Sequence, residues 1–132
     1  MSNYLEEAKR LRAITEIHYN CAQSVLLPFV KAKGLPEKEF YDLSVHFGGG
    51  MKMGSVCGAV TGALMALGLY GIDDPKEANA FCRKFKEAHE GCLECRDLLR
   101  MSAQRGEVKK VHCDGLVYEC VQLAQKMIEE KG

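Results

Sequence analysis

The sequence has no tryptophan, only three prolines, and no excess of either charge. Eighteen basic residues balance eighteen acidic ones, so the chain lacks the net positive field typical of proteins that bind nucleic acid or anionic lipid. We therefore expect neither nucleic acid nor a membrane as a partner. The N-terminus also lacks the apolar stretch of a secretory signal, since it is polar and amphipathic. These absences predict a cytoplasmic protein.

Alternating runs of apolar and polar residues, which indicate strands, are absent as well. Apolar residues instead recur at helical spacing in several segments, and the chain length of 132 residues suits a single domain. The sequence predicts an all-α fold, a compact helical bundle in which residues 1–132 form one domain.

Local signals place several helix boundaries. Asn20 is positioned to cap the second helix, and Pro28 is expected to kink or end that helix because proline lacks a backbone N–H. Asp74 followed by Pro75 marks the start of a later helix.

One uncharged segment, residues 53–72, is long enough to span a bilayer. Its five glycines dilute its hydrophobicity, and small residues such as Gly58 and Gly62 allow helices to pack closely in a soluble core. The segment is therefore predicted to form a buried central helix rich in small residues, whose small-residue face could pack against a helix of the same chain or of another.

Seven cysteines are many for a chain of this length, and an odd number cannot all be paired in disulfides. In a reducing compartment such enrichment favours metal ligation or thiol redox chemistry. Cys82 and Cys120 lie within apolar helical stripes and are predicted to be packing residues.

Cys57 has the most informative surroundings, because a glycine-rich turn leads into a predicted helix there. The positive end of a helix favours a thiolate, so the pKa of Cys57 is expected to be lowered, which suits a nucleophile or a metal ligand. Gly49, Gly50 and Gly58 would let the backbone approach a bound cofactor closely.

Two further cysteines, Cys92 and Cys95, have the spacing of metal knuckles and dithiol motifs. A second such pair is lacking, so a metal site would have to draw on distant thiols, and Cys21, Cys57 and Cys113 lie at or near predicted helix starts.

The following histidines are expected to contact helix-terminal carbonyls rather than metal: His18, His46, His89 and His112. The following cations are predicted to be solvated helix surface: Lys9, Arg10, Arg12, Lys109 and Lys110.

Several motifs match a known cysteine pattern. They are Tyr19-Asn20-Cys21-Ala22-Gln23, Phe47-Gly-Gly-Gly-Met51 leading into Cys57-Gly58-Ala59-x-x-Gly62, Cys95-Arg96-x-Leu98-Leu99, and Cys113-x-x-Leu116-Val117. The chain resembles the family of redox-active proteins named for its C-GCAxxG-C-C pattern. The resemblance places the family cysteines on Cys21, Cys57, Cys95 and Cys113, and it leaves Cys92 as an extra thiol that could substitute as a ligand, resolve a disulfide or have no role. It implies a redox role and is compatible with an iron–sulfur cluster.

The leading hypothesis is that these four cysteines converge and hold an iron–sulfur cluster or, alternatively, zinc. A second hypothesis is a thiol–disulfide exchange protein with Cys57 as the nucleophile. A third is a metal-carrying module that serves a transporter or an oxidoreductase. The sequence does not decide whether the protein is an enzyme.

Overall fold

Helices account for the regular structure of residues 3–131, which are the residues that the computed structural model describes. The seven α-helices of this part of the chain are α1 (Tyr4–Ala13), α2 (Cys21–Ala32), α3 (Glu37–Leu43), α4 (Gly58–Leu69), α5 (Pro75–Ala88), α6 (Cys95–Gln104) and α7 (Lys109–Lys131). A short 3-10 turn at Val45–Phe47 and an irregular turn at Gly50–Gly54 join α3 to α4. The prediction of an all-α bundle is confirmed.

Helix α2 begins where the sequence predicted and continues past Pro28. The Asn20 side chain accepts a hydrogen bond from the Gln23 N–H, and the Gln23 side chain accepts one from the Asn20 N–H, both at 2.8 Å. Of the two outcomes expected at Pro28, a kink or an end of the helix, the end does not occur, because α2 continues to Ala32. Residues 22–30 are all buried, and their packing offsets the cost of about 3 kcal/mol that proline imposes inside a helix.

Helix α4 is the buried, small-residue-rich helix that the sequence predicted, and it starts at Gly58, directly after Cys57, where the glycine turn was expected to lead into a helix. It packs most extensively against α2. A Cβ atom at Gly62 would lie 2.5 Å from the carbonyl oxygen of Ala22, so only glycine permits this approach of the two backbones. The small residues therefore serve packing within the chain.

The long helix α7 contacts α1, α2 and α4 and completes the core. Helix α1 is fixed to it by an ion pair of 2.6 Å between Arg12 and Asp114, and by a hydrogen bond of 3.2 Å from Lys110 Nζ to the carbonyl oxygen of Arg12. Within residues 3–131, no helix combines the length and the apolar character needed to cross a bilayer.

Candidate functional site

Four of the seven cysteines line one cavity of about 440 Å³, which we call the cysteine cavity. They are the four that the sequence had singled out: Cys21, Cys57, Cys95 and Cys113. Each comes from a different part of the chain. The fold thus brings together residues that are widely separated in sequence.

Helix starts deliver these cysteines to the cavity. Cys21 and Cys95 are the first residues of α2 and α6, and Cys57 immediately precedes α4. Cys113 lies in the second turn of α7, which begins at Lys109, earlier than its apolar stripe indicated. Several N-terminal helix ends therefore converge on the cavity, and their free N–H groups and dipoles favour negative charge there.

A short backbone pairing fixes Cys57 next to Cys95. The N–H of Cys57 donates to the carbonyl oxygen of Leu93 at 2.8 Å, and the N–H of Cys95 donates to the carbonyl oxygen of Ser55 at 2.6 Å. These two bonds tie the start of α4 to the start of α6. The relative position of the two cysteines is consequently set by the backbone.

The glycine turn before Cys57 is a left-handed turn. Gly49, Gly50, Met51 and Lys52 have φ values of 61°, 63°, 58° and 63°. A Cβ atom at Gly50 would lie 2.8 Å from the Cβ atom of Cys95, so glycine is required for the turn to pack there. Strained backbone of this kind is typical of functional sites.

The three glycines predicted to bind a cofactor differ in their position relative to the cysteine cavity. Gly49 and Gly58 line the cysteine cavity, whereas Gly50 is buried against Cys95 and is not among the lining residues. Gly54, which the sequence reasoning did not select, also lines it.

Cys21 and Cys113 influence each other's pKa across the cysteine cavity. The neighbouring Cys113 thiol raises the pKa of Cys21, and the Cys21 thiol lowers the pKa of Cys113 to about 7. The positive charges of Arg12 and Lys109 also lower the pKa of Cys113, against the opposing effect of its burial. Near neutral pH Cys113 is therefore partly ionised, whereas Cys21 stays protonated.

The expectation of a lowered pKa at Cys57 is wrong. Burial raises the pKa of Cys57 to about 11, and the hydrogen bonds from the N–H groups of Ala59 and Val60 only partly offset that effect. Burial also raises the pKa of Cys95. Cys113 is thus the most acidic of the four cavity thiols.

Positive side chains surround these thiols. Arg12, Arg96 and Lys109 line the cavity, and its described lining includes no aspartate or glutamate. The prediction that Arg12 is solvated surface is wrong, because its side chain is only 11% exposed. Arg12 also donates to the carbonyl oxygen of Tyr19 at 2.9 Å.

His112 is a cavity residue that the sequence reasoning had set aside. Its side chain is 6% exposed, and Nδ1 lies 3.6 Å from Glu107 Oε1. Its Nε2 is buried without a hydrogen-bond partner, whereas the expected role was contact with helix-terminal carbonyls. Burial lowers the pKa of His112, which favours the neutral ring. In the sequence, only its position next to Cys113 indicated that His112 lies near the site.

The other three histidines lie in different surroundings from His112. His89 Nε2 lies 2.8 Å from Glu119 Oε1, so its side chain contacts a carboxylate rather than a terminal carbonyl. His18 lies on the exposed rim of the cavity, and His46 is exposed.

The remaining three cysteines lie outside the cavity lining. The Cys92 thiol contacts Met101 Sδ at 3.5 Å, so Cys92 would need to move to replace one of the four. Cys120 is fully buried in the core and Cys82 is half-buried against it, in keeping with packing roles.

The fit of a metal ion can be judged from the donor arrangement. Among residues 3–131, no three or more cysteine, histidine, aspartate or glutamate side chains are arranged to hold a metal ion. Zinc needs thiolate sulfurs at about 2.3 Å from the metal, so this arrangement of side chains does not fit a single zinc ion.

The fold and the site define a small all-α protein with a cysteine-lined cavity. A family model described as "Putative redox-active protein (C_GCAxxG_C_C)" matches residues 19–127. The chain belongs to this family, as its motifs predicted. No curated protein and no solved structure matches the chain.

Proposed function

We propose that the protein is a thiol–disulfide redox protein whose reacting pair is Cys113 and Cys21. The observation that carries this proposal is that Cys21 and Cys113 line the same cavity, where the Cys21 thiol lowers the pKa of Cys113 to about 7. Once Cys113 has formed a mixed disulfide, a neighbouring thiol of the same cavity can attack its sulfur. Membership of a redox-active family supports the same reading.

Cys113 is the attacking residue in this proposal. Its thiolate attacks one sulfur of a substrate disulfide, forms a mixed disulfide and releases the other half as a thiolate, which takes up a proton. Cys21 then loses its proton and attacks the Cys113 sulfur, releasing the second half. Two protein thiols are oxidised to one disulfide, and one substrate disulfide is reduced to two thiols.

Cys57 and Cys95 remain protonated beside the pair, because burial raises the pKa of both. A neutral thiol is a poor nucleophile, so neither competes with Cys113 for the first attack. The proposal therefore replaces Cys57, the nucleophile expected from sequence, with Cys113.

Controlled oxidation tests the pairing. Reduced protein is treated with one equivalent of diamide, digested without reduction and analysed by mass spectrometry, and we expect a disulfide between Cys21 and Cys113. The Cys82→Ser control should form the same disulfide, whereas Cys21→Ser should retain a mixed disulfide on Cys113 when a small disulfide is the oxidant. A dominant disulfide between any other two cysteines would refute the assignment.

We also infer a second candidate function, an iron–sulfur cluster held by the four cavity cysteines. The supporting observation is that Cys21, Cys57, Cys95 and Cys113 line one cavity, and a cluster is larger than a single ion and needs more widely spaced sulfurs. Such a cluster would supply one-electron transfer. Anaerobic reconstitution with iron and sulfide should give visible absorption in the Cys82→Ser control and much less in Cys57→Ser. Protein that stays colourless would refute this candidate.

A further inference from the structure

We propose that the substrate disulfide is a small anionic molecule that carries carboxylate groups near its sulfur atoms. This inference rests on the proposed function, because it names the substrate class of the same thiol pair.

The charge of the cavity lining is the first observation. Arg12, Arg96 and Lys109 line the cavity without any described acidic lining residue, although the chain as a whole is neutral. Asp114 lies behind Arg12 and is shared with Lys110, whose Nζ is 3.1 Å from its carboxylate. The positive charge is therefore concentrated around the thiols and only partly neutralised. A lining of one sign raises the local concentration of molecules of the opposite sign.

The dimensions of the cavity favour a small molecule. Its volume is about 440 Å³, within the range of about 300–1,000 Å³ that is usual for small-molecule sites. Leu98, Leu99 and Leu116 supply apolar wall between the charged groups. A short, charged disulfide has both the size and the mixed character that this lining accepts.

His112 is the third observation. It lines the cavity beside Cys113, about one turn of helix from Lys109. The lining next to Cys113 is therefore polar as well as cationic.

The reaction with such a substrate is balanced. Oxidation of the Cys113 and Cys21 thiols to a disulfide supplies two electrons and two protons, and the anionic disulfide takes up both to become two anionic thiols. No other oxidant is required. The reverse reaction uses two anionic thiols to reduce the protein.

A series of disulfides of different charge tests the inference. Reduced protein is mixed separately with 3,3′-dithiodipropionate, which is anionic, with 2-hydroxyethyl disulfide, which is neutral, and with cystamine, which is cationic. Formation of the protein disulfide is followed by acid quenching and mass spectrometry. We expect 3,3′-dithiodipropionate to react at least about tenfold faster than cystamine at low salt, and the difference to shrink in about 1 M salt, where charges are screened beyond about 3 Å.

Charge-reversal variants test which cavity residues cause the preference for anionic disulfides. Lys109→Glu and Arg96→Glu should each lower the ratio of the anionic to the neutral rate constant several-fold. Using the ratio removes any change that the substitution makes to the reactivity of Cys113 itself. Lys84→Glu on α5 changes the net charge equally, but Lys84 is exposed and outside the cavity lining, so the ratio should not change.

The outcomes separate this inference from the proposed function. Rapid formation of the Cys21–Cys113 disulfide with all three probes at similar rates would overturn the anionic substrate and leave the thiol–disulfide function intact. Failure of the neutral disulfide to oxidise the pair at any concentration would overturn the proposed function itself, and this inference with it.

Discussion

Cys113 and Cys57 show how strongly the surroundings of a single sulfur atom decide its chemistry. Both lie near helix starts, yet the pKa of Cys113 is lowered to about 7 and that of Cys57 is raised to about 11. The Cys21 thiol and the cations Arg12 and Lys109 lower the pKa of Cys113, whereas burial dominates at Cys57. A helix N-terminus alone does not activate a thiol that is removed from water.

The first prediction concerns the pH dependence of Cys113 alkylation in the reduced, metal-free protein. Because the thiolate is the reactive form, iodoacetamide labelling of Cys113 should rise to half its maximum near pH 7, below the onset for Cys57. Replacing the nearby cation in Arg12→Gln should move the Cys113 profile to higher pH. The measurement is residue-resolved mass spectrometry after timed labelling.

Arg10→Gln is the matched control for that experiment, since Arg10 is on the same helix but is exposed and paired with Glu7. Its Cys113 profile should coincide with that of the unsubstituted protein. Earlier labelling of Cys57 than of Cys113 would contradict the prediction.

The second prediction concerns Lys52 in the left-handed turn. An L-residue with a φ of 63° is in a conformation that costs about 1–2 kcal/mol, and glycine adopts it freely. After allowing for the greater freedom of glycine in the unfolded chain, Lys52→Gly should raise the free energy of unfolding by about 0.5–1 kcal/mol. Urea denaturation measures this change.

Where the backbone is an ordinary helix, substitution by glycine should instead lower the free energy of unfolding. Lys84→Gly in α5 should lower the free energy of unfolding by about 1 kcal/mol. A stabilisation of similar size at both positions would show that the left-handed turn is not the cause.

At the scale of the helices, the contact between α2 and α4 gives the third prediction. Because a Cβ atom at Gly62 would lie 2.5 Å from the Ala22 carbonyl oxygen, Gly62→Ala should lower the free energy of unfolding by about 1–3 kcal/mol, the usual cost of overpacking. Gly68→Ala on the same helix meets no atom within 4 Å and should be neutral or stabilising by up to about 1 kcal/mol. Equal effects of the two substitutions in urea denaturation would contradict the packing account.

The helices also show which structural features can be predicted from the sequence. The Asn20 cap and the Asp74–Pro75 start depend on neighbours a few residues away, so they could be identified from sequence alone. Pro28 could not, because tolerance of proline inside α2 depends on the burial of the whole helix. Local capping motifs thus identify a helix start where they occur, whereas tolerance of proline within a helix depends on tertiary packing.

In the candidate site, too, some residues could be predicted from the sequence and others could not. The four cysteines could be selected from the seven because the motifs around them are distinctive. Arg12 and His112 are ordinary residues in the sequence, and they enter the cavity only because α1 packs on α7 and α7 begins before Cys113. The pKa order of Cys57 and Cys113 likewise depends on burial, which no local pattern reports.

At the scale of the whole molecule, oxidation should change stability, which is the fourth prediction. A disulfide between Cys21 and Cys113 would close a loop of about 90 residues and restrict the unfolded chain, which corresponds to a gain of about 4.6 kcal/mol in the free energy of unfolding. Urea denaturation of oxidised and reduced protein should show this difference, and Cys113→Ser treated with the same oxidant should not. An oxidised form less stable than the reduced form would contradict a pair that is already well positioned in the fold.

Helix α1, which supplies Arg12, ends at Ala13 and so lies outside the family-matched residues 19–127. The cysteines that line the cavity and one of the charges that lowers the pKa of Cys113 therefore come from different parts of the chain. Helix α1 contributes no sulfur to the proposed thiol pair, and its contribution is the charge of Arg12. Two members of this family with the same four cysteines but different residues at this position would then differ in the acidity of the thiol.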